Sequence, residues 1–201
     1  MNDELAGLHP ESLVVAAGRP ARDHDVQLNP PISLTSTFHA TPPGELDSPR
    51  GYARYGNESW SALEGVIGDL EGGKTLLFAS GMNAITTVFS LLPHGAVVTT
   101  SHNGYTGVQV FLSRMVEEGR LEVRYVDISD TDAVLEALPG TALLWLESPT
   151  NPGLDVADLP KLIKAAKALN CGVGVDNTFA TPLNQKPLEM GADMVIHSVT
   201  K

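Results

Sequence analysis

The stretch Met194-Val195-Ile196-His197-Ser198-Val199-Thr200-Lys201 begins with three apolar residues and leads to a lysine. Its apolar, β-branched character predicts a strand over residues 194–199, with Lys201 just beyond the carboxyl end of that strand. Open α/β sheets bind their ligands at such ends. A desolvated lysine loses its proton more easily and can form a Schiff base with a carbonyl group, whereas a solvated lysine does neither. From this stretch alone both possibilities are open for Lys201.

The residues before this stretch alternate between short apolar runs and amphipathic segments. The runs predict strands at residues 75–79, 97–100, 123–128, 142–146 and 173–175. Apolar residues at helical spacing predict helices around them, such as one over residues 63–70 that ends at Gly72. Strands that are apolar on both faces and are separated by helices indicate an α/β fold, in which helices cover a mostly parallel sheet.

Residues 1–58 differ from the remainder of the chain. Seven prolines punctuate them, and no long periodic segment is present. We therefore predict an N-terminal arm or set of loops over residues 1–58 and an α/β domain over residues 59–201. An arm with so little core of its own must lie against another surface, either the main domain or a second subunit.

Composition limits the classes of function. The chain has 201 residues, of which 42% are hydrophobic, so it can bury a sizeable core. A net charge of −11 argues against a nucleic-acid partner, and the single cysteine excludes an intrachain disulfide. The first residues lack the pattern of a signal peptide, and no apolar run approaches the roughly 20 residues that span a bilayer. We therefore expect a cytoplasmic protein that does not bind a membrane.

Two groups of residues suit a phosphate. Gly81 lies between a predicted strand and a predicted helix, where the backbone N–H groups of a helix N-terminus can bind an anion, although a plain turn would also explain this glycine. Ser198 and Thr200 are two residues apart, so on a strand their hydroxyls would share one face. Both hydroxyls could donate to phosphate oxygens.

Two further residues suit the ring of a cofactor. Asp176 follows a buried run, and a buried carboxylate needs a partner, which a protonated ring nitrogen, a salt bridge or a helix cap would supply. Tyr105 lies between Gly104 and Gly107 and could stack on a planar ring or pack in the core. A lysine, phosphate donors, a ring stacker and an acid for a ring nitrogen together fit pyridoxal 5′-phosphate.

Other cofactors lack their motifs in this sequence. No G-x-G-x-x-G follows the first predicted strand, which argues against a nucleotide-dependent dehydrogenase, and no G-x-x-x-x-G-K-[ST] is present. The six histidines show no spacing typical of metal ligands, so we predict no metal site.

Five motifs of this chain resemble those of the Cys/Met-metabolism family of pyridoxal-phosphate enzymes. They are Tyr52-Ala53-Arg54-Tyr55-Gly56-Asn57, Ser80-Gly81-Met82, Glu147-Ser148-Pro149-Thr150-Asn151-Pro152, Val175-Asp176-Asn177-Thr178-Phe179-Ala180-Thr181-Pro182 and His197-Ser198-Val199-Thr200-Lys201. They follow the family's order from about residue 10 to residue 201. The resemblance implies the α/β large domain of pyridoxal-phosphate fold type I, which is aspartate-aminotransferase-like and is preceded here by an extended arm.

The resemblance also implies roles for individual residues. Lys201 would form the Schiff base and then move protons, Tyr105 would stack on the ring, and Asp176 would pair with the ring nitrogen. The implied cofactor-binding set comprises Tyr52, Arg54, Gly81, Met82, Tyr105, Asn151, Asp176, Thr178, Ser198, Thr200 and Lys201. Tyr52 and Arg54 would reach the phosphate of a neighbouring subunit, which implies a homodimer or a homotetramer. Asn151 would lie near the cofactor hydroxyl and the carboxylate of a small amino-acid substrate.

The activity implied by the resemblance is the formation or breakage of a C–S bond in methionine and cysteine metabolism. Cystathionine γ-synthase or γ-lyase is our first expectation. Within the family, cystathionine β-lyase, methionine γ-lyase and O-acylhomoserine sulfhydrylase are also open. A fragment or binding protein that keeps the fold without catalysis is the alternative of another class. Family members carry a further C-terminal domain, which we expect this chain to lack.

Two departures from the family's pattern bear on the substrate. Many γ-synthases and γ-lyases have Tyr-Gly-Gly-Thr followed closely by an arginine, where this chain has Tyr105-Thr106-Gly107-Val108-Gln109-Val110. Asn57-Glu58-Ser59 stands where Asn-Pro-Thr is usual. The first departure removes a donor for a distal carboxylate of the substrate, and the second adds a charge near the expected mouth of the pocket.

Overall fold

The computed structural model of the chain describes residues 7–39 and 51–201, and the chain divides into two compact units, Met1–Leu77 and Phe78–Lys201. The first unit holds α1 (Pro10–Ala16) and α2 (Glu58–Glu71). The second unit holds α3 (Gly81–Ser90), β1 (Ala96–Ser101), α4 (Thr106–Glu117), β2 (Leu121–Val126), α5 (Thr131–Ala137), β3 (Leu143–Glu147), α6 (Leu159–Ala168), β4 (Gly172–Asp176), α7 (Thr181–Asn184) and β5 (Met194–Ile196). No helix in these described ranges is long and apolar enough to cross a membrane.

In the first unit, the N-terminus of α2 holds part of the preceding chain. Asn57 caps the helix, because its Oδ1 accepts the Ser59 N–H at 2.9 Å, and its Nδ2 donates to the Ser33 carbonyl at 3.2 Å. The Ser33 N–H donates in turn to Ser59 Oγ at 2.8 Å. Gly72 ends the helix in the left-handed conformation, with φ 77°. The helix predicted to end at this glycine is therefore confirmed.

The short helix α1 was not predicted, since residues 1–58 were expected to contain only extended chain or loops. Pro10 begins it, in a position where the missing N–H of proline costs no hydrogen bond. Its seven residues bury only Leu13, so the sequence offers no apolar period to detect. The arm-and-domain division at residue 58, with the arm on a neighbouring subunit, stays a prediction, and residues 40–50 of that arm lie outside the described residues.

The second unit is built on one five-stranded sheet with the strand order β2-β1-β3-β4-β5. Every pairing between these strands is parallel, as the mostly parallel sheet predicted from the sequence requires. The carboxyl ends of the strands therefore lie along the same edge of the sheet. Glu147 pairs in register with Asp176, which in turn pairs with Ile196, so the ends of three neighbouring strands are level.

Two hydrophobic cores cover the two faces of the sheet, because successive side chains of a strand point to opposite faces. In β3, Leu144 and Leu146 belong to a core with α5 and α6, whereas Leu143 and Trp145 belong to a core with α3 and α4. Gly174 leaves room for Trp145, since a Cβ at this glycine would lie 2.9 Å from the indole Cε3. The helices thus fix the sheet from both sides and leave its carboxyl edge open to a ligand.

Two predicted strands differ from the structure. Residues 75–79 form no strand, because an apolar run becomes a strand only where another strand supplies a hydrogen-bonding partner. The last strand ends at Ile196 instead of Val199, since its neighbour β4 ends at Asp176 and the Ser198 N–H bonds to the Thr178 hydroxyl at 2.8 Å. Ser198 and Thr200 therefore lie in a turn rather than on one face of a strand.

Candidate active site

Most predicted site residues of the second unit lie at or just beyond the carboxyl ends of the strands, whereas Gly81 and Met82 begin α3 and follow no strand. Tyr105 follows β1 and is the N-cap residue of α4. Asn151 follows β3, Asp176 is the last residue of β4, and Ser198 follows β5. The parallel order of these strands thus brings together residues as far apart in the sequence as Tyr105 and Ser198.

The N-terminus of α3 lies against the turn after β5. A Cβ on Gly81 would lie 3.0 Å from the Ser198 Cβ and 3.2 Å from its Oγ, so a glycine permits this close approach. Ser80 caps α3 by accepting the Asn83 N–H at 3.1 Å. The N–H groups of Gly81 and Met82 belong to the first helical turn, where no partner within the helix exists. Gly81 is thus more than a plain turn residue, because it places these donors beside a serine hydroxyl.

The hydroxyls of the last turn form a small cluster with Thr178. Ser198 Oγ lies 3.2 Å from Thr200 Oγ1, even though the two residues are not on a strand. Thr178 Oγ1 accepts the Ser198 N–H, and the Lys201 N–H donates to the Ser198 carbonyl at 3.1 Å. Lys201 itself is exposed. Together with the helix N-terminus, these hydroxyls are a set of donors that suits a phosphate group.

The ring of Tyr105 lies over a glycine. A Cβ on Gly107 would lie 2.6 Å from Tyr105 Cε1 and 3.1 Å from Met82 Sδ. The side chain of Tyr105 remains 40% exposed, which excludes core packing as its role. An aromatic ring that packs against the protein on one side and remains partly exposed can stack on a planar ligand.

Asp176 is a buried carboxylate without a basic partner in an ion pair in the described part of the chain. Its Oδ1 accepts the Thr178 N–H at 3.0 Å, and the N-cap residue of the next helix is Ala180, so Asp176 caps no helix. Burial raises the pKa of Asp176, although hydrogen bonds from the Thr178 side chain and backbone and the nearby His197 act against this rise. A buried acid of this kind gains a charge partner when a cationic ring nitrogen binds.

Glu147 is a site residue to which the sequence interpretation assigned no role. It ends β3, as Asp176 ends β4, and is only 8% exposed. Its Oε2 accepts the Tyr105 N–H at 2.6 Å, and its Oε1 accepts the Asn151 N–H at 2.9 Å. Burial raises the pKa of Glu147 to about 7, against the lowering effect of the Tyr105 N–H; the charge of Asp176 raises it further, and the Asn151 N–H lowers it. An acid at the end of a fully buried strand was the signal in the sequence.

The loop after β3 carries Asn151 and is tied to the loop after β1. Thr150 Oγ1 donates to Asp155 Oδ2 at 3.1 Å, and Asn103 Nδ2 donates to the same oxygen at 3.4 Å. The peptide bonds that precede Pro149 and Pro152 are cis. Asn151 is half-buried at the edge of the site, where its amide can contact a ligand.

Tyr52 and Arg54 belong to the first unit. The Arg54 guanidinium carbon lies 4.9 Å from the centroid of the Tyr52 ring, and the Tyr55 ring packs edge-on against Tyr52 with centroids 6.5 Å apart. Tyr52 is 48% exposed, so the pair presents a phenol and a guanidinium at a surface. Both groups are good partners for a phosphate.

Known proteins resemble this chain over nearly its whole length. The family described as Cys/Met metabolism PLP-dependent enzyme matches residues 11–201. A Streptomyces coelicolor protein named putative cystathionine gamma-lyase is 43% identical over 194 residues, which cover 93% of this chain and 48% of the Streptomyces protein. L-methionine gamma-lyase of Pseudomonas putida is 38% identical over 195 residues, which cover 92% of this chain and 49% of that enzyme. Other relatives are named cystathionine beta-lyase and probable cystathionine gamma-synthase.

Solved structures of enzymes with related names also resemble this chain. The crystal structure of cystathionine gamma synthase from Xanthomonas oryzae pv. oryzae in complex with cystathionine matches with a TM-score of 0.89 and 32% identity, over 96% of this chain and 51% of that chain. The predicted α/β fold of a pyridoxal-phosphate enzyme is therefore confirmed. The chain spans about half the length of the curated relatives that it matches.

Proposed function

Because this chain belongs to the Cys/Met metabolism PLP-dependent enzyme family, we propose that the protein is an enzyme that forms or breaks a C–S bond of a sulfur amino acid. Its cofactor is the family's cofactor, pyridoxal 5′-phosphate. The family to which the five sequence motifs pointed is the one that matches. Cystathionine, the compound in the names of several relatives, is the first candidate substrate or product.

The observation that carries the proposal is a continuous series of contacts along the carboxyl edge of the sheet. Gly81 lies against Ser198, Ser198 bonds to Thr178, and Thr178 bonds to Asp176. This series joins the group that suits a phosphate to the acid that suits a ring nitrogen. A single rigid ligand with a phosphate at one end and a basic ring nitrogen would be held by both, and pyridoxal 5′-phosphate has these two features.

When bound, the cofactor supplies an aldehyde carbon that an amine can attack and a ring that withdraws electrons from the substrate. Different residues of this chain would hold different parts of the cofactor. The first-turn N–H groups at Gly81 and Met82 and the hydroxyls of Ser198 and Thr200 would donate to the phosphate. Asp176 would accept the ring N–H, and its negative charge would keep that nitrogen protonated.

Three further residues would act on the ring and the substrate. Lys201 would hold the cofactor through its Nζ, and as a free amine it would take the proton that leaves the substrate's Cα. Tyr105 would cover one face of the ring and exclude water from it. The Asn151 amide would orient the cofactor hydroxyl and the substrate carboxylate.

The remaining pair, Tyr52 and Arg54, would bind the phosphate held by a neighbouring subunit. Support comes from the exposure of Tyr52 and from the stacking that holds the Arg54 guanidinium ready as a fork of donors. Under this proposal the enzyme is at least a homodimer. A homotetramer and a location in the cytoplasm also stay predictions.

The arginine that follows Tyr105 in the chain bears on the choice of substrate. The first arginine after Tyr105 is Arg114, and its Nε donates to Glu118 Oε1 at 2.8 Å within α4. The arginine of α4 thus lies in the last turn of the helix, so α4 offers no arginine beside Tyr105 for the distal carboxylate of cystathionine. A substrate without that carboxylate, such as methionine, accordingly belongs in the first assay beside cystathionine. Cystathionine β-lyase and O-acylhomoserine sulfhydrylase activities also stay open and belong in the same assay.

The test is an assay of the full-length protein with added pyridoxal 5′-phosphate. Cystathionine that yields ketobutyrate indicates γ-lyase activity, and pyruvate indicates β-lyase activity. Condensation of O-acylhomoserine with cysteine indicates γ-synthase activity, and its condensation with sulfide indicates sulfhydrylase activity. Ketobutyrate from methionine indicates methionine γ-lyase activity. We expect one of these reactions in the wild type and none in Lys201→Ala. A protein that binds the cofactor but performs none of them would support a non-catalytic role and contradict the proposal.

A further inference from the structure

Glu147 bridges two loops that belong to different strands. Its two carboxylate oxygens accept one backbone N–H each, from Tyr105 in the loop after β1 and from Asn151 in the loop after β3. Each of the two oxygens thus accepts one hydrogen bond from the backbone of a loop. The side chain is buried, so water does not compete for these bonds.

The hydrogen bond from the Tyr105 N–H to Glu147 fixes the backbone that carries the Tyr105 ring. Tyr105 is the N-cap residue of α4, and it has no side-chain cap bond of its own. Its position therefore depends on the backbone, which the Glu147 carboxylate holds at 2.6 Å. The preceding Gly104 allows this approach, since a Cβ there would lie 3.2 Å from Glu147 Oε2.

The hydrogen bond from the Asn151 N–H to Glu147 likewise positions a residue of the site. Asn151 is the first residue of the turn at residues 151–153, and the bond of its N–H to Glu147 Oε1 fixes the start of the loop after β3 against the sheet. The register of β3 and β4 places Glu147 beside Asp176. One side chain thus sets the positions of two predicted ligand-contacting residues relative to a third.

We propose that Glu147 is a positioning residue of the active site, which holds the Tyr105 ring and the Asn151 amide at fixed places relative to Asp176. The inference deepens the proposed function and rests on it. Glu147 touches neither cofactor nor substrate and acts through the two residues whose backbone it binds. A displacement of about 1 Å at reacting groups can lower a rate on the order of 100-fold, so the loss of this bridge has a measurable effect.

The chemistry of the side chain explains why a carboxylate is needed. A glutamine has one acceptor oxygen and an NH₂ group, which would point a donor at a backbone N–H. Glu147→Gln can therefore keep one of the two bonds and loses the other. Asp193 provides a matched control at the amino end of β4, because its Oδ2 accepts the Val173 N–H at 2.8 Å and its Oδ1 pairs with Lys167. Asp193→Asn likewise keeps one acceptor, but it lies away from the ligand edge.

The experiment compares Glu147→Gln, Glu147→Ala and Asp193→Asn in the full-length protein. The first readout is hydrogen–deuterium exchange of the Tyr105 and Asn151 amides without cofactor. We expect it to rise at least about 10-fold at both amides in Glu147→Ala and at one of them in Glu147→Gln, and to stay unchanged in Asp193→Asn. The second is the visible circular dichroism of bound pyridoxal 5′-phosphate, which reports the ring's surroundings and should change only in the Glu147 variants. The third is kcat, which we expect to fall about 10- to 100-fold in Glu147→Gln, with a smaller change in KM.

The outcomes separate the two proposals. Unchanged amide exchange and unchanged circular dichroism in folded Glu147→Gln would overturn the positioning role. Glu147 variants that lost only thermal stability, as we expect of Asp193→Asn, would overturn it too. If Glu147→Ala does not fold, Glu147→Gln alone decides. A wild-type protein that binds no pyridoxal 5′-phosphate would instead overturn the proposed function, whereas the exchange data would still report on the bridge.

Discussion

Glu147 and Asp176 are paired in register at the ends of two neighbouring parallel strands, so two acids lie side by side at the ligand edge of the sheet. The two carboxylates have different hydrogen-bond partners. Both oxygens of Glu147 bind loop amides, whereas Asp176 accepts bonds from Thr178 and has no partner in an ion pair among the described residues. The acid that suits a cationic ring nitrogen is thus distinguished from Glu147, whose two oxygens both bind loop amides.

The pH dependence of stability should report the proton on Glu147. The pKa of this carboxyl is raised from 4.5 to about 7 by burial and by Asp176, in spite of the two amide bonds. Between these pH values the unfolded chain has released the proton while the folded chain still holds it, so folding stability contributed by Glu147 falls as the pH rises. We expect wild type to lose stability relative to Glu147→Gln between about pH 4.5 and 7, in denaturant titrations of the cofactor-free protein. If the free energy of unfolding of the wild type relative to that of Glu147→Gln stays constant or rises with pH, this assignment is contradicted.

A methyl group at Gly81 should weaken the binding of the phosphate. Gly81→Ala would place a Cβ 3.0 Å from the Ser198 Cβ and push the helix N-terminus away from the serine hydroxyl. We expect the affinity for pyridoxal 5′-phosphate to fall on the order of 10-fold, measured by titration of the cofactor's absorbance, since a charge-assisted hydrogen bond contributes about 1.5–3 kcal/mol.

The control for this change is Gly65→Ala in α2, where an added Cβ meets nothing within 4 Å. This variant should bind the cofactor as wild type does and gain about 0.5–1 kcal/mol of stability, because alanine favours a helix interior. Equal affinities in the two alanine variants would argue against a phosphate beside Gly81.

The Thr178 hydroxyl should couple the two ends of the site. It accepts the Ser198 N–H at 2.8 Å, and its hydrogen bond to Asp176 lowers the pKa of that acid against the effect of burial. Thr178→Val removes both interactions at nearly constant volume, so we expect weaker cofactor binding and a slower reaction, each by about 3- to 30-fold for one or two lost hydrogen bonds. Thr178→Ser should restore most of both values, and a serine variant as poor as the valine variant would assign the effect to packing instead.

Gly174 should be needed for packing rather than for chemistry. A Cβ at this position would lie 2.9 Å from Trp145 Cε3 and 3.0 Å from its Cζ3, inside a buried strand. We expect Gly174→Ala to destabilise the protein by about 1–3 kcal/mol, the usual cost of overpacking. Urea unfolding measures the change. An unaltered unfolding midpoint would show that the indole ring moves aside without cost.

The elements that the sequence predicts well are those with a local cause. Asp130 caps α5 by accepting the Asp132 and Ala133 N–H groups, which lie within three residues of it in the chain. The predicted helix end at Gly72 coincides with backbone of positive φ. Asp176 and Ser198 likewise follow buried runs, so their place at the carboxyl edge follows from a parallel sheet.

Elements that depend on distant partners were not predictable in the same way. The apolar run at residues 75–79 has the composition of a strand but forms none, and β5 stops at Ile196 because its neighbouring strand ends. The role of Glu147 depends on two amides, 42 residues before it and 4 residues after it in the chain. Only the folded sheet brings the first of these within hydrogen-bonding distance.

Pyridoxal 5′-phosphate should bind at the carboxyl edge of this sheet through Lys201. Reduction of the cofactor-loaded full-length protein with borohydride, followed by peptide mass mapping, tests this binding most directly. We predict that the visible absorbance disappears and that one pyridoxyl group is fixed to Lys201, with none in Lys201→Ala. A protein that stays colourless with the cofactor, or a label on another lysine, would contradict the proposed site.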